Sequence, residues 1–180
     1  MMQKRKQDNR ISVSLIHGLN GTGLPLLKTT KNGYTLYFLI DTGASRNYIR
    51  QDCLNLPEIN EDTLFLDVRE EYYGIDNVSH EAGTCNFRFD LNQHQYMERF
   101  QIIKDGSALN FPTTDGFLHV VGILGTPFLR QYKAMIDFAA SEISCATPEP
   151  IDQDSKVLTF SLKSNIFTKG SYREHPISLK

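Results

Sequence analysis

A seven-residue apolar run that ends in an aspartate constrains this chain more than any other feature. The run, Tyr34–Ile40, is rich in aromatic and branched side chains and leads directly into Asp41. Such a composition favours a buried β-strand, and a carboxylate rarely closes a buried strand without a role, because burying a charge is costly. Thr42 offers a hydroxyl, and Gly43 allows a tight turn whose amides face the carboxylate. The segment therefore predicts a strand that ends in a rigidly held, catalytic Asp41.

Two hairpin patterns indicate that strands dominate the chain. Asn32-Gly33 separates the apolar residues 24–27 from the run before Asp41, and Asn-Gly between apolar runs is a strong hairpin signal. Residues 85–91 and 96–103 alternate apolar with polar side chains and predict a second, longer hairpin. Residues 48–54 have mixed periodicity and fit either a strand or a short helix. The polar, proline-containing stretch 104–116 is interpreted as a loop.

A second glycine-bounded apolar segment follows further along the chain. Residues 120–125, Val-Val-Gly-Ile-Leu-Gly, predict a buried strand, and Thr126 with Pro127 predicts an N-cap followed by proline at the first helical position. A short helix through Tyr132 should follow. Asp137 lies in the next apolar strand, where a structural or turn role is favoured over a catalytic one.

Together these segments resemble the retropepsin-like aspartic proteases. Residues 39–45, Leu-Ile-Asp-Thr-Gly-Ala-Ser, match the first half of that family's motif, and residues 122–129, Gly-Ile-Leu-Gly-Thr-Pro-Phe-Leu, match the second. The resemblance implies an all-β fold, the closed barrel of the acid proteases, with one short helix after the Ile-Leu-Gly motif. It also implies an aspartic endopeptidase whose catalytic motif is Asp41, Thr42 and Gly43.

The number of motifs implies a dimer. Acid-protease chemistry uses two aspartates that share one proton, because two close carboxylates cannot both ionise. The chain holds a single Asp-Thr-Gly, so the catalytic hypothesis requires a homodimer in which each subunit supplies Asp41. The five histidines show no ligand spacing, and the mechanism calls for no metal and no cofactor. The alternative is a catalytically silent peptide-binding or dimerisation module on the same fold.

The resemblance also suggests where substrate binds. Residues 70–79 occupy the place of the family's flap, a hairpin that closes over bound peptide, although an ordinary surface hairpin is the alternative. The predicted substrate-binding residues are Ala44, Tyr73, Gly74, Ile75, Val78 and Thr126. Ala44 lacks the hydroxyl that follows this glycine in pepsin-like enzymes, which implies carboxylates that protonate more easily and a less acidic pH optimum.

The net charge and the cysteine content limit the expected partners and cellular compartment. A net charge of −2 argues against general nucleic-acid binding, and no apolar stretch has membrane-spanning length. Three cysteines without paired spacing fit free thiols, so a soluble cytoplasmic protein acting on a peptide or protein substrate is expected. Residues 1–145 are assigned to the protease domain. Residues 146–180 form a C-terminal extension whose alternating segment 157–162 covers the barrel or joins the dimer interface.

Overall fold

The computed structural model describes residues 9–17, 24–73, 79–113 and 116–149. The strands in these residues are β1 (Arg10–His17), β2 (Pro25–Lys31), β3 (Tyr34–Ile40), β4 (Tyr48–Arg50), β5 (Leu64–Tyr73), β6 (Ser79–Leu91), β7 (His94–Ile103), β8 (Asn110–Thr113), β9 (Gly116–His119), β10 (Gly122–Leu124), β11 (Met135–Asp137) and β12 (Glu142–Ala146). The helices are α1 (Gln51–Leu54), α2 (Pro57–Asn60) and α3 (Thr126–Gln131), and a 3-10 turn covers Ser107–Leu109.

Six strands close into a barrel. They pair in the order β2-β3-β10-β4-β7-β6, and β6 returns to β2 through the pair Thr30↔Asp90. From β2 the sheet continues through β1, β12 and β11, and from β6 it continues into β5. The predicted all-β, closed-barrel fold class is confirmed.

The strand β10 holds the barrel together across a long stretch of sequence. It lies between β3, to which it is parallel, and β4, to which it is antiparallel. Because β3 ends at Ile40, directly before Asp41, β10 runs beside the strand that carries the candidate catalytic loop.

Both predicted hairpins are present. Asn32 and Gly33 have φ values of 50° and 83°, the paired left-handed conformation of the turn that matches the twist of two antiparallel strands. Asn92 and Gln93 adopt the same region, at 49° and 67°, between β6 and β7. The β3 strand therefore enters the barrel in a register that a tight turn sets.

An aromatic cluster fills the barrel and fixes the orientation of β3. The Phe38 ring centroid lies 5.2 Å from that of Phe89 and 5.7 Å from that of Phe100. The cluster continues through Phe87, Tyr96, Phe128 and Tyr132. Burying each such ring contributes about 1.5–3 kcal/mol to stability, so the C-terminal part of β3, which holds Phe38, is a rigid support for the residues that follow it.

One detail of the predicted secondary structure was wrong. Residues 104–116 are not a continuous loop, because β8 and β9 pair as a two-stranded sheet. Phe111 and Leu118 pack against a small apolar cluster that includes Leu109 and Val120, and this tertiary packing outweighs the polar and proline content. The short helix predicted after the Ile-Leu-Gly motif is present as α3, and residues 48–54, for which strand and short helix were both open, form the strand β4 followed by the helix α1.

The chain divides into two units, Met1–Pro148 and Glu149–Lys180. The predicted strand at 157–162 lies outside the described residues. In the part of the chain that is described, no helix combines the length and apolar character needed to span a membrane. The cysteines Cys53, Cys85 and Cys145 are free thiols, as predicted.

Candidate active site

Asp41 lies at the rim of the barrel, where β3 ends. Its backbone amide donates to the Leu124 carbonyl at 3.2 Å, and its Oδ1 accepts a hydrogen bond from the Gly43 amide at 2.8 Å. The Ala44 amide donates to the Asp41 carbonyl at 3.2 Å. The loop is thus a tight turn closed by the aspartate's own side chain, as the sequence predicted, and it leaves the carboxylate partly exposed.

The Ala44 carbonyl fastens this loop to the start of α3. Both the amide and the hydroxyl of Thr126 donate to it, at 2.9 and 3.1 Å. The prediction that Thr126 is the N-cap was wrong: Gly125 is the N-cap, and the Thr126 hydroxyl serves the neighbouring loop instead of its own helix. Thr126 therefore has a clear positioning contact, and its predicted contact with substrate stays a prediction.

Two glycines allow backbone segments to approach closely: Gly122 in β10 lies against β4, and Gly125, directly after β10, lies against the Asp41 loop. A Cβ on Gly125 would lie 2.3 Å from the Arg46 carbonyl and 2.6 Å from the Ala44 carbonyl. A Cβ on Gly122 would lie 2.1 Å from the Tyr48 carbonyl. Both overlaps are with backbone atoms, so neither position accepts a side chain unless the neighbouring backbone moves.

Asn47 links three parts of the site and was missed by the sequence analysis. It is buried, its Oδ1 accepts from the Gly125 amide at 2.9 Å, and its Nδ2 donates to Glu98 Oε2 at 3.1 Å and to the Arg99 carbonyl at 3.2 Å. Its own carbonyl accepts from the Gln101 amide at 2.9 Å. An isolated asparagine in a polar loop gives no signal in the sequence, because its partners lie on strands far along the chain.

Glu98 is a buried acid beneath the same loop, with an exposed fraction of 5%. Burial raises the pKa of Glu98, and hydrogen bonds from Tyr132 and Asn47 oppose that shift. Tyr48, at the start of β4, also has a raised pKa because of burial, and the Asp41 carboxylate contributes in the same direction. Burial thus opposes ionisation of both Glu98 and Tyr48 beside the loop.

A cavity of about 310 Å³ opens beside the loop. Its lining residues are Arg46, Asn47, Glu70, Arg99, Phe100, Gln101 and Pro127. Glu70, on β5, is held by Arg99 Nη2 at 2.5 Å and by Gln101 Nε2 at 2.8 Å. Arg46 Nε lies 3.8 Å from Glu70 Oε2, which is an ion pair without a hydrogen bond.

The structure brings some of the predicted site residues together. Asp41, Thr42, Gly43 and Ala44 share one loop, and Thr126 is bonded to it. Thr42 and Gly43 are exposed, whereas Ala44 is half-buried.

The predicted flap is described only in its arms. Tyr73 is the last residue of β5, and its backbone pairs with Ser79 of β6. Gly74, Ile75 and Val78 lie outside the described residues. Their predicted substrate contacts, and that of Tyr73, therefore stay predictions.

Two further aspartates have local structural contacts. Asp137 Oδ1 accepts from the Ala140 amide at 2.9 Å, and Asp105 Oδ1 accepts from the Ser107 amide at 2.9 Å. The first contact is the turn role expected for Asp137. Within the described ranges, no group of three or more His, Cys, Asp or Glu side chains is placed to hold a metal ion.

Comparisons with known proteins were made at three levels. No protein-family model matches the chain, and no curated protein matches it. Among solved structures it is similar to a retropepsin-like aspartic protease from Rickettsia conorii, with 14% identity and a TM-score of 0.47 over 78% of this chain and 95% of that one. It is also similar to the retroviral protease-like domain of Ddi1 from Leishmania major, with 13% identity and a TM-score of 0.39 over 69% of this chain and 79% of that one.

Proposed function

We propose that the protein is an aspartic endopeptidase that works as a homodimer. The observation that carries the proposal is the partly exposed Asp41 carboxylate, held at the barrel rim by the Gly43 amide. A carboxylate fixed in this way is oriented before substrate arrives, which is what acid catalysis at a defined bond requires.

The reaction would take place between two Asp41 carboxylates, one from each subunit. A water molecule held between them attacks the peptide carbonyl while one carboxylate removes its proton. The proton shared by the pair passes to the carbonyl oxygen, which gives a tetrahedral diol. The C–N bond then breaks as the carboxyl group that took the water's proton gives it to the amine nitrogen, and the other carboxylate takes one hydroxyl proton from the diol, so the product is a carboxylic acid and the pair again shares one proton. Each subunit supplies one of the two carboxylates, one acting as base and the other as acid, so a single chain is inactive.

The rest of the site keeps this carboxylate in place. The Leu124 carbonyl holds the Asp41 amide, and Thr126 holds the Ala44 carbonyl on the other side of the turn. The exposed Thr42 and Gly43 leave the rim open to a symmetric copy of the same loop.

The first test is cleavage of a diverse peptide mixture between about pH 4 and 7, a range chosen around the titration expected for a carboxylate pair. We expect wild-type protein to cleave and Asp41→Asn to be inactive. Asp105→Asn is a matched control, because Asp105 accepts the same kind of turn hydrogen bond as Asp41 but lies in another loop. Loss of cleavage in both variants would argue against a specific role for Asp41.

A mixing experiment tests whether the site is shared. Wild-type and Asp41→Asn chains are combined at constant total concentration and allowed to exchange. A shared site makes activity fall with the square of the wild-type fraction, so equal mixing leaves about one quarter of the activity, whereas a site within one chain leaves about one half. Absence of cleavage by a demonstrated dimer would favour the peptide-binding module instead.

A further inference from the structure

We propose that Arg46 makes this site selective for peptides that carry an acidic side chain near the cleaved bond. The inference rests on the proposed function and adds a substrate class to it. Arg46 follows Asp41 by five residues and lines the cavity beside the catalytic loop.

The cavity is built from the same elements that position Asp41. Arg46 and Asn47 continue its loop, and Pro127 belongs to the first turn of α3, next to the Thr126 that holds Ala44. A volume of about 310 Å³ is at the lower end of small-ligand pockets and fits one side chain better than a long segment. A peptide bound at Asp41 would thus have a neighbouring side chain within reach of this cavity.

Among the described residues that line the cavity there is one carboxylate, and it is already engaged. Glu70 accepts hydrogen bonds from Arg99 and Gln101, both on β7, and these two contacts use one oxygen each. The Arg46 guanidinium is farther away, at 3.8 Å, and its side chain is 58% exposed. Among the described residues it has no hydrogen-bond acceptor, so its donors are available to a ligand.

The charge of the cavity favours an anion. Among the described lining residues, Arg46 and Arg99 carry two positive charges against the one negative charge of Glu70, which leaves one positive charge unbalanced. A second carboxylate would balance the set and could form the bidentate pair that a guanidinium prefers. A glutamate or aspartate side chain of a peptide supplies that group, whereas a lysine or arginine would add to the excess.

The test uses pairs of peptides that are identical except for Glu or Gln at one position, moved in turn along both sides of the cleaved bond. At about pH 6 the glutamate is ionised. We expect wild-type protein to prefer Glu over Gln by about three- to tenfold in kcat/KM at one position. Arg46→Gln should abolish the preference, and Arg46→Glu should favour Lys at that position. Arg130→Gln, an exposed arginine on α3, is the control and should keep the wild-type preference.

A binding experiment separates this inference from the proposed function. Fluorescence anisotropy of labelled peptides measures their affinity for the Asp41→Asn protein. If nothing is cleaved but the Glu peptide binds more tightly in an Arg46-dependent way, the endopeptidase proposal fails and the acidic preference stands. If wild-type protein cleaves with equal kcat/KM for Glu and Gln at every position, the acidic preference is overturned. It is also overturned if Arg46→Gln changes the dimer dissociation constant and leaves the preference for Glu intact, because Arg46 would then contact the second subunit rather than the peptide.

Discussion

Replacement of Asn47 by alanine should weaken the whole domain, because this one side chain joins the Asp41 loop to β7 and to the start of α3. The change removes three hydrogen bonds and leaves the Gly125 amide and the Glu98 carboxyl with fewer partners in a buried place. Net hydrogen bonds contribute about 1 kcal/mol each, and a buried group without a partner costs about 1–3 kcal/mol. We therefore expect the free energy of unfolding to fall by about 3–5 kcal/mol, a large share of the 5–15 kcal/mol typical of a domain.

Guanidinium denaturation followed by circular dichroism measures this loss, and a thermal scan should show a melting temperature lower by roughly 10 °C. Asn55→Ala is the matched control, because Asn55 is exposed and its side chain makes no hydrogen bond within the described residues. A loss below about 1 kcal/mol for Asn47→Ala, or equal losses for both variants, would refute the argument that Asn47 ties these elements together.

Three further predictions concern the residues around the loop. Gly125→Ala should destabilise by about 3 kcal/mol or more in the same denaturation assay, since its Cβ would meet backbone oxygens, whereas Gly83→Ala, whose Cβ would have only an ordinary 3.7 Å contact, should be neutral or slightly stabilising. Because burial raises the pKa of Glu98, its contribution to stability is complete below its ordinary value of 4.5 and is lost as the pH rises through the folded-state pKa. Glu98→Gln should therefore gain stability relative to wild type as the pH is raised from about 4.5 to 8, and a constant difference between the two unfolding free energies would contradict this. Ala44→Ser should move the acidic limb of the pH–rate profile down by roughly one pH unit, since a hydroxyl donor stabilises the ionised pair, and an unmoved limb would count against that reasoning.

Local patterns were sufficient to predict the all-β fold class and the turn that follows β3 at Asp41. The Asn32-Gly33 turn and the apolar run of β3 are local signals, and both place Asp41 at the end of a buried strand. The parallel pairing of β10 with β3, which brings the two halves of the motif side by side, was not predicted and is seen only in the structure.

The supporting contacts could not be predicted in the same way. Asn47 and Glu98 meet only because β4 and β7 lie side by side in the barrel, and no spacing in the sequence encodes that contact. The β8–β9 sheet was missed because its strands are only four residues long and one contains a proline, and packing on Leu109 and Val120 stabilises them. Residues that act through tertiary neighbours thus carry little signal of their own.

The position of β10 between β3 and β4 has a consequence for biosynthesis. The two strands are close in sequence, yet they are joined in the barrel only after residues 122–124 have been made. Contacts of such large sequence separation form late and slowly. A growing chain on the ribosome therefore holds Asp41 in a loop that lacks its Leu124 and Thr126 partners until most of the domain has emerged. The carboxylate is made early but is oriented late, and the nascent chain carries no assembled site during most of its synthesis.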